Sequence, residues 1–352
     1  MKANYQKYIL QFKQPAGTSR GILRTKETYF LRLNSRDKNG IGECAVFRGL
    51  SVDDVPDYEE KLQWVCQNIN LGKEALLKAL IKYPSIQFGI EQAFLSIESK
   101  DGFELFPSDF SKGTDVISIN GLIWMGDKEF MLQQVKEKLK SGFTTIKLKI
   151  GAIDFEKEIE LLKFIRKQFS EKEIEIRVDA NGAFLPGKAL EKLKILSDFH
   201  LHSIEQPIKQ GQWEEMAKLC DKTPLPIALD EELISVFDKE DKVKMLQVIQ
   251  PQYIILKPSL IGGFRGSEEW IHLAEKHSIG WWITSALESN IGLNAIAQFT
   301  YTLQNIMPQG LGTGSLFINN IQSPLVVKKG ALLYKVDSET NWDRSIFQSF
   351  NF

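Results

Sequence analysis

Five apolar segments of this chain each end on or beside a charged residue, and they recur about one strand and one helix apart. The charged residues are Lys149, Asp179, Glu205, Asp230 and Lys257, and successive members lie 30, 26, 25 and 27 residues apart. This spacing is typical of a repeating βα unit, with each charge at the carboxyl end of its strand. In a (β/α)₈ barrel those ends surround one mouth. The pattern therefore predicts three carboxylates between two lysines at one end of a parallel barrel.

The same rhythm of strand and amphipathic helix continues on both sides of these segments. It predicts eight strands, with seven helical stretches between them, at 117–123, 145–150, 174–179, 203–205, 227–230, 253–257, 281–285 and, weakly, 310–316. Short strands that are apolar on both faces suit a parallel sheet covered by helices. A chain of 352 residues is too long for one ordinary core, so further structure lies outside the barrel.

The first hundred residues follow a different pattern. Segments 5–12, 28–33 and 41–47 are rich in β-branched and aromatic residues and predict an antiparallel meander. Asn39-Gly40 is a hairpin-turn dipeptide between the second and third of them. Two or three helices follow, which together make an α+β unit of about 110 residues, a usual size for a domain.

Composition excludes several classes of function. The formal net charge of −1 favours neither nucleic acid nor an anionic membrane as a partner. No apolar run approaches the ~18 residues of a membrane span, and the first residues lack the apolar region of a signal peptide. The three cysteines, Cys44, Cys66 and Cys220, match no zinc spacing. We expect a cytoplasmic protein that acts on a small molecule.

The three carboxylates Asp179, Glu205 and Asp230 predict a metal site. One carboxylate after a strand is commonly an N-cap or an ion-pair partner, but three at a near-regular period are harder to explain in that way. Converging carboxylates repel one another unless a cation lies among them. Oxygen-only ligation indicates Mg²⁺ or Mn²⁺. Glu231 and Glu232 directly follow Asp230, and a competing role for either remains open.

The lysines predict a basic centre beside that metal. Lys147 and Lys149 lie two residues apart and so share one face of a strand. Two ammonium groups in a barrel interior are costly, and each makes the other harder to charge, which favours a neutral amine as a base. The alternative is an edge strand with solvated lysines. Lys257 follows another apolar run, and Arg177 shares the face of Asp179, where it could position a lysine or a ligand carboxylate.

Several short motifs carry a resemblance to a known family. They are Lys147-x-Lys149, Asp179-x-Asn181, Glu205-Gln206-Pro207, Asp230-Glu231 and Leu256-Lys257-Pro258. Together they resemble the enolase superfamily, in particular its muconate-lactonizing-enzyme-like subgroup. The resemblance covers nearly the whole chain and implies a modified (β/α)₈ barrel of the (β/α)₇β type at 113–324. It also implies an α+β capping domain at 1–112 and a C-terminal segment at 325–352 that returns to the cap.

The resemblance also implies a role for each site residue. Mg²⁺ would be held by Asp179, Glu205 and Asp230, the substrate would lie between Lys149 and Lys257, and Lys147, Arg177 and Asn181 would support them. Mn²⁺ would be able to substitute for Mg²⁺. In this family the metal holds a substrate carboxylate and stabilises the enediolate that forms when the α-proton leaves.

Within the subgroup, segments 281–292 and 310–314 are most similar to lyases of menaquinone synthesis. Those enzymes dehydrate a succinyl-hydroxycyclohexadiene carboxylate to an aromatic acid. The dipeptide epimerases carry Asp-x-Asp where this chain has Gly312-Thr313-Gly314, and backbone N–H groups there suit an anionic substrate end. We therefore expect substrate contacts from Ser285, Gly312 and Gly314.

Two segments of the first domain are candidates to cover the mouth. Segment 14–21 contains Arg20 as a further candidate substrate contact, and it is equally consistent with a mobile lid or an ordinary surface loop. Segment 47–51 is a second candidate loop over the site.

Three other functions remain open. A dipeptide epimerase or N-succinylamino acid racemase of the same superfamily would use both lysines as bases on opposite faces of the substrate. A Schiff-base aldolase would use Lys257 alone as a nucleophile. A non-catalytic barrel would bind a metal and an acidic ligand without α-proton exchange.

Overall fold

The first domain is a three-stranded antiparallel sheet covered by helices. The computed structural model describes residues 1–18, 21–36, 38–124, 126–151, 154–336 and 341–347. The strands β1 (Lys2–Thr18), β2 (Gly21–Ser35) and β3 (Lys38–Cys44) lie side by side in that order. The helices that follow are α1 (Tyr58–Gln67), α2 (Lys73–Ala79) and α3 (Pro84–Glu98). The predicted meander is therefore present, with longer strands than expected.

The predicted hairpin turn at Asn39-Gly40 is wrong. Both residues lie inside the ladder, where Asn39 pairs with Asn34 and Gly40 pairs with Leu33. Glycine has a different use here, because a Cβ at Gly40 would overlap the carbonyl oxygen of Ala93 in α3. The dipeptide therefore indicates a close approach of helix to strand rather than a turn.

The same close approach predicts the cost of a substitution at Gly42. A Cβ at Gly42 would overlap the carbonyl oxygen of Gly89 in α3. We expect Gly42→Ala to lower the free energy of unfolding by about 1–3 kcal/mol, the usual cost of overpacking, as measured by urea unfolding. In the matched control Gly187→Ala the new methyl group meets no atom within 4 Å, and stability should hold or rise. Equal stability of both variants would contradict this account.

The second domain is a curled parallel sheet of seven strands. In spatial order from one edge to the other they are β11 (Gly280–Ile283), β10 (Tyr253–Leu256), β9 (Ile227–Leu229), β8 (Ser203–Glu205), β7 (Glu175–Asp179), β6 (Thr145–Lys149) and β5 (Gly121–Ile123). Side chains such as Ile146, Leu148, Ile176 and Val178 point outward into the largest hydrophobic core. The strands are thus buried on both faces, as their composition predicts.

Helices cover the outside of this sheet. They are α4 (Lys128–Lys140), α5 (Phe155–Gln168), α6 (Pro186–Ser197), α7 (Trp213–Lys222), α8 (Lys239–Ile249), α9 (Pro258–Ile261), α10 (Gly263–Lys276) and α11 (Asn290–Thr302). Asp154 caps α5 as its sequence position suggests, since its side chain accepts a hydrogen bond from the Glu156 N–H. Apolar residues of α5 such as Ile159, Leu162 and Ile165 face the core. The described helices are all too short or too polar to cross a membrane.

A very short segment joins the two edges of the curled sheet. Gln309 forms a bridge with Ile119, and Gly310 forms one with Thr284. The predicted eighth strand at 310–316 is therefore reduced to two residues, and the chain turns away after Gly310. The Thr284 side chain lies where a Cβ at Gly310 would stand, so glycine is needed for this closure. The predicted modified barrel with a separate cap is confirmed.

The C-terminal part divides between the two domains. Strands β12 (Leu325–Lys328) and β13 (Ala331–Tyr334) form a hairpin, and β13 pairs with β4 (Val116–Ser118) at the start of the barrel. This hairpin, at the start of the segment 325–352 expected to return to the cap, therefore joins the barrel part of the chain. Residues farther along do reach cap strands, because Ile346 packs in one cluster with Phe30 and Ile41.

Candidate active site

The charged residues predicted from the sequence spacing lie together at one end of the barrel. Asp179 ends β7, Glu205 ends β8, and Asp230 follows β9 directly. Lys149 is paired in register with Asp179, which is paired with Glu205, so their side chains share a layer of the barrel. All three carboxylates are buried, and Asp179 has no exposed surface. Lys257 follows β10, on the other side of this layer.

A network of ion pairs connects the lysines to the carboxylates. The Lys147 ammonium lies 2.8 Å from Asp179 Oδ2 and also contacts Glu205 Oε2. Lys149 Nζ lies 2.5 Å from Asp179 Oδ2 and donates to Asn181 Oδ1 at 2.8 Å. Asn181 has a left-handed backbone (φ 43°), a conformation that asparagine tolerates better than most residues. The side chains of Asn181 and Asp179 therefore both hold the Lys149 ammonium group.

Asp230, rather than either following glutamate, is the partner of Lys257. The Lys257 ammonium contacts Asp230 Oδ2. Glu231 accepts a hydrogen bond from Asn181 Nδ2 at 2.9 Å. Glu232 accepts from the Gly211 N–H at 2.7 Å and from the side-chain nitrogen of Gln206. Glu231 and Glu232 thus form hydrogen bonds with residues that surround the carboxylate cluster.

Gln206 is a supporting residue to which the sequence analysis assigned no role. Its side-chain nitrogen donates to Glu232 Oε2 at 2.9 Å, and its side-chain oxygen accepts from the Asp230 N–H at 3.2 Å. It therefore ties the end of β8 to the segment after β9. The signal in the sequence is its position directly after Glu205, where a buried amide can join adjacent strand ends.

Burial and mutual charge shift the pKa values in this cluster in opposite directions. Burial alone would lower the pKa of Lys147, but Asp179, Glu205 and Asp230 together raise it. Burial would raise the pKa of Asp179, and the two lysines of β6 hold it well below its usual value. Burial and the charge of Asp179 raise the pKa of Glu205. The expectation that paired lysines lower each other's pKa is wrong for Lys147, because three carboxylates outweigh one ammonium group.

The carboxylate cluster has the donor chemistry of a divalent-cation site. The negative charges of Asp179 and Asp230 both act on the Glu205 carboxyl group. Among the described residues Glu205 Oε1 has no hydrogen-bond partner although it is buried. Three oxygen-donor side chains with an unpartnered oxygen fit Mg²⁺ or Mn²⁺.

Lysine side chains contact the carboxylate oxygens of this cluster. Within the described ranges, no group of three or more His, Cys, Asp or Glu side chains has the arrangement to hold a metal ion. Lys147 and Lys257 contact oxygens of Glu205 and Asp230 that a cation would need. The ammonium groups therefore balance part of the negative charge of these carboxylates.

A cavity opens at this end of the barrel, between the lysines and the cap. Its lining includes Lys147, Lys149, Lys257, Asn120, Asn181, Ser285 and Thr313 as polar residues and Leu122, Trp124, Leu287 and Leu316 as apolar ones. Phe47 and Leu50 line it from the cap, so segment 47–51 does lie over the site as expected. The cavity thus combines a charged floor with largely apolar walls, which suits a small acid with a carbon ring.

The candidate substrate contacts are only partly at this cavity. Ser285 and Gly312 line it, and Ser285 Oγ lies 2.7 Å from Thr313 Oγ1. Gly314 is not in the lining, and its carbonyl oxygen accepts a hydrogen bond from Asn320. Arg20 lies outside the described residues. Residues 14–18, which precede Arg20 in segment 14–21, belong to strand β1 and not to a loop.

Among the residues that the structure describes, Arg177 contacts groups other than the lysines, and its predicted role in positioning a lysine or a ligand carboxylate stays a prediction. Its guanidinium donates to Glu175 Oε1 at 2.9 Å and to the carbonyl oxygen of Pro308 at 2.8 Å. It also lies 4.4 Å from the ring centroid of Trp282. Two residues along a strand correspond to about 6.6 Å, and Arg177 pairs in register with Lys147, one step below Lys149 and Asp179. Arg177 therefore belongs to the barrel interior beneath the layer of Asp179.

Comparison with known proteins agrees with the geometry. The family model described as "Enolase C-terminal domain-like" matches residues 131–335, and that described as "MenC, N-terminal domain" matches residues 2–97. The o-succinylbenzoate synthase of Desulfotalea psychrophila is 47% identical over 363 residues, which covers 94% of this chain and 98% of the relative.

Solved structures agree with the same assignment. The crystal structure of MenC from D. psychrophila superposes with a TM-score of 0.85 at 44% identity, covering 95% of this chain and 99% of the other. The L-Ala-D/L-Glu epimerase of Bacillus subtilis has a TM-score of 0.81 at 21% identity, covering 95% of this chain and 96% of the other, which shows a shared fold. The resemblance predicted from the sequence motifs is confirmed. The chain belongs to the enolase superfamily and, within it, to the o-succinylbenzoate synthase (MenC) family.

Proposed function

We propose that the protein is an o-succinylbenzoate synthase, a carbon–oxygen lyase of menaquinone biosynthesis. It would catalyse the syn dehydration of a 2-succinyl-6-hydroxycyclohexadiene-1-carboxylate to 2-succinylbenzoate. The observation that carries this proposal is that Lys149 and Lys257 line one cavity on opposite sides of three buried carboxylates. The 47% identity to a synthase over nearly the full length of both chains supports it.

The chain's own residues supply the proton chemistry. Neutral Lys149 would take the proton α to the ring carboxylate, while the Lys257 ammonium stabilises the negative charge that develops on the enediolate. Protonated Lys149 would then give its proton to the hydroxyl group on the same face. The carbon–oxygen bond breaks, water leaves, and the new double bond makes the ring aromatic. Asn181 would keep Lys149 oriented through its hydrogen bond to Nζ.

Asp179, Glu205 and Asp230 are the proposed ligands of a metal cofactor. Members of this superfamily generally depend on a divalent metal, and we propose Mg²⁺, with Mn²⁺ able to substitute. The cation would supply positive charge to the substrate carboxylate and would help to balance the charge of these three side chains.

Metal removal tests this part of the proposal. We expect EDTA to abolish formation of the aromatic product and added Mg²⁺ or Mn²⁺ to restore it. The measurement is a continuous ultraviolet assay of dialysed protein, with Ca²⁺ as a comparison ion because its longer bonds and higher coordination number suit the site less well. Full turnover in metal-free protein would refute a metal role for the three carboxylates.

A second assay separates the synthase from an epimerase or racemase. Gly312-Thr313-Gly314 offers no carboxylate to a peptide ammonium group, so dipeptides should bind poorly. The cyclohexadiene substrate should turn over with kcat/KM of at least about 10⁴ M⁻¹s⁻¹. NMR in D₂O would detect deuterium at the α-carbon of a dipeptide or an N-succinylamino acid. Rapid exchange without aromatic product would favour the epimerase or racemase.

Some assignments from the sequence remain predictions. They are the domain boundaries at 1–112, 113–324 and 325–352, a cytoplasmic location, the lack of a nucleic-acid or membrane partner, and substrate contacts from Arg20, Ser285, Gly312 and Gly314. The Arg20→Ala variant should raise KM if the charge of Arg20 meets a substrate carboxylate.

A further inference from the structure

A buried lysine lies in the interface between the cap and the barrel. Lys26 of β2 is only 4% exposed, and its ammonium group has no hydrogen-bond partner among the described residues. Alternate residues of a strand share a face, and Thr28, two positions on, donates to Glu43 Oε1 at 2.8 Å. Lys26 therefore faces the same interface as Glu43. A buried ammonium group is costly unless carboxylates lie near it.

Two buried carboxylates lie near Lys26, and the first, Glu43, joins the cap to the barrel. Glu43 of β3 accepts hydrogen bonds from the Ser289 N–H at 3.0 Å, from Ser289 Oγ at 2.5 Å and from the Gly292 N–H at 2.9 Å. These donors lie at the amino-terminal end of α11, where a negative charge is favourable. A side chain of the cap thus satisfies the free N–H groups of a barrel helix.

The second carboxylate joins two parts of the active site. Glu288 is fully buried and accepts a hydrogen bond from Ser259 Oγ at 2.5 Å and another from the Ala286 N–H at 2.8 Å. Ser259 lies two residues after Lys257, and Ala286 is part of the cavity wall. One carboxylate therefore fixes the segment of Lys257 against that wall.

The charge of Lys26 acts on both carboxylates. Burial lowers the pKa of Lys26, and Glu43 and Glu288 oppose that shift. Burial raises the pKa of Glu288, and Lys26 opposes it. A lysine of the cap thus acts on one carboxylate of the cap, Glu43, and on one carboxylate of the barrel, Glu288. None of the three side chains lines the cavity, so they can affect the reaction only through the residues they hold.

We propose that Lys26 and Glu288 are positioning residues for turnover: the buried Lys26 ammonium group balances the charge of Glu43 and Glu288 between cap and barrel, and Glu288 holds the Lys257 segment in place. The proposal rests on the proposed function, because it assigns Lys257 a role in the reaction. It adds a link that runs from cap strand β2 to the lysine that follows β10.

Variants of the link test this through kinetics and hydrogen exchange. We expect Glu288→Gln and Ser259→Ala to lower kcat roughly 10- to 100-fold, the scale of a misplacement of about 1 Å, with KM changed less than about threefold. Lys26→Met should speed amide exchange at Ala286 and Ser289 by at least about tenfold. In the Lys26→Met/Glu288→Gln double variant, the fold-decrease in kcat should be smaller than the product of the fold-decreases in the two single variants.

A buried lysine elsewhere provides the matched control. Lys242 is 4% exposed in its side chain and pairs with Glu269 at 2.7 Å, away from the cavity. Lys242→Met should lower the melting temperature and leave kcat and the exchange at Ala286 unchanged. Ser259→Ala serves if the charge variants fail to fold, since it removes one hydrogen bond and no charge.

The outcomes separate this inference from the proposed function. The inference would be overturned if Glu288→Gln and Ser259→Ala lowered only the melting temperature and left kcat and amide exchange as in the wild type. Failure of the proposed function would appear as an absence of aromatic product from the wild-type protein. The exchange measurements need no substrate, so they would still decide whether Lys26 and Glu288 fix the cavity wall.

Discussion

Lys149→Ala is expected to lower kcat by roughly 10²–10⁴-fold, the usual contribution of a positioned general base. The side chain lies at the carboxyl end of β6, in the cavity, and is held by Asp179 and Asn181 on either side. Lys147 lines the same cavity and also contacts Asp179, but its ammonium group contacts Glu205 as well, whereas that of Lys149 contacts Asn181. The product 2-succinylbenzoate should still bind, since the alanine leaves the apolar walls and Lys257 unchanged.

The measurement combines turnover with chemical rescue. A small primary amine such as methylamine fits the space left by the truncated side chain and should restore part of the activity in Lys149→Ala. Lys257→Ala should also be severely impaired, through lost stabilisation of negative charge. Lys140→Ala, at the exposed end of α4, is the control and should turn over like the wild type. Wild-type turnover in Lys149→Ala would mean that the base is another group.

The barrel could be predicted because its signal repeats. Each unit contributes a short apolar strand and an amphipathic helix, and an error in one unit does not change the period. The same repetition places Asp179, Glu205 and Asp230 at one mouth without knowledge of any contact, since carboxyl ends of parallel strands converge. The register of Lys149, Asp179 and Glu205 across β6–β8 agrees with that prediction.

Features that depend on contacts between distant segments could not be predicted. Asn39-Gly40 favours a turn locally, yet the approach of α3 to β3 requires Gly40 within the strand. The barrel closes through only Gln309 and Gly310, which is too short to leave a periodic pattern. Arg177 and Asp179 share a strand face, and sequence alone does not show that their side chains lie at different depths.

The directions of the pKa shifts in the site also could not be predicted from the sequence. Two neighbouring lysines suggest lowered pKa values, but Lys147 contacts both Asp179 and Glu205, and those contacts determine the direction of its shift. Similarly, the buried group formed by Lys26, Glu43 and Glu288 joins residues more than 240 positions apart in the chain, and no local pattern indicates it.

Glu205→Gln is expected to change metal binding and metal-free stability in different ways. Glu205 lies between Asp179 and Asp230, and burial and the charge of Asp179 raise its pKa. A carboxyl group that binds a metal must be ionised, so the glutamine variant should bind Mg²⁺ more than about 100-fold more weakly than the wild type. This loss exceeds the roughly 10–100-fold loss that follows when a residue hydrogen-bonded to a metal ligand is removed. Titration calorimetry would measure this affinity.

In the absence of metal, Glu205→Gln should not lower the free energy of unfolding. Because the folded-state pKa of Glu205 is raised, the folded protein keeps a proton that the unfolded chain releases above about pH 4.3. The metal-free wild type therefore loses stability as pH rises above that value, and the neutral glutamine removes this loss. Urea unfolding in EDTA at pH 7 should show Glu205→Gln to be at least as stable as the wild type.

Asp179→Asn is the matched comparison that makes this result decisive. Asp179 is ionised and accepts hydrogen bonds from Lys149 and from the Asn181 N–H, besides its contact with Lys147. Its loss leaves buried ammonium groups without their partner, so this variant should be destabilised in EDTA as well as weakened in metal binding. If Glu205→Gln were destabilised to the same extent, the Glu205 carboxyl group would have to be ionised in the metal-free protein, and the lysines rather than a proton would balance its charge.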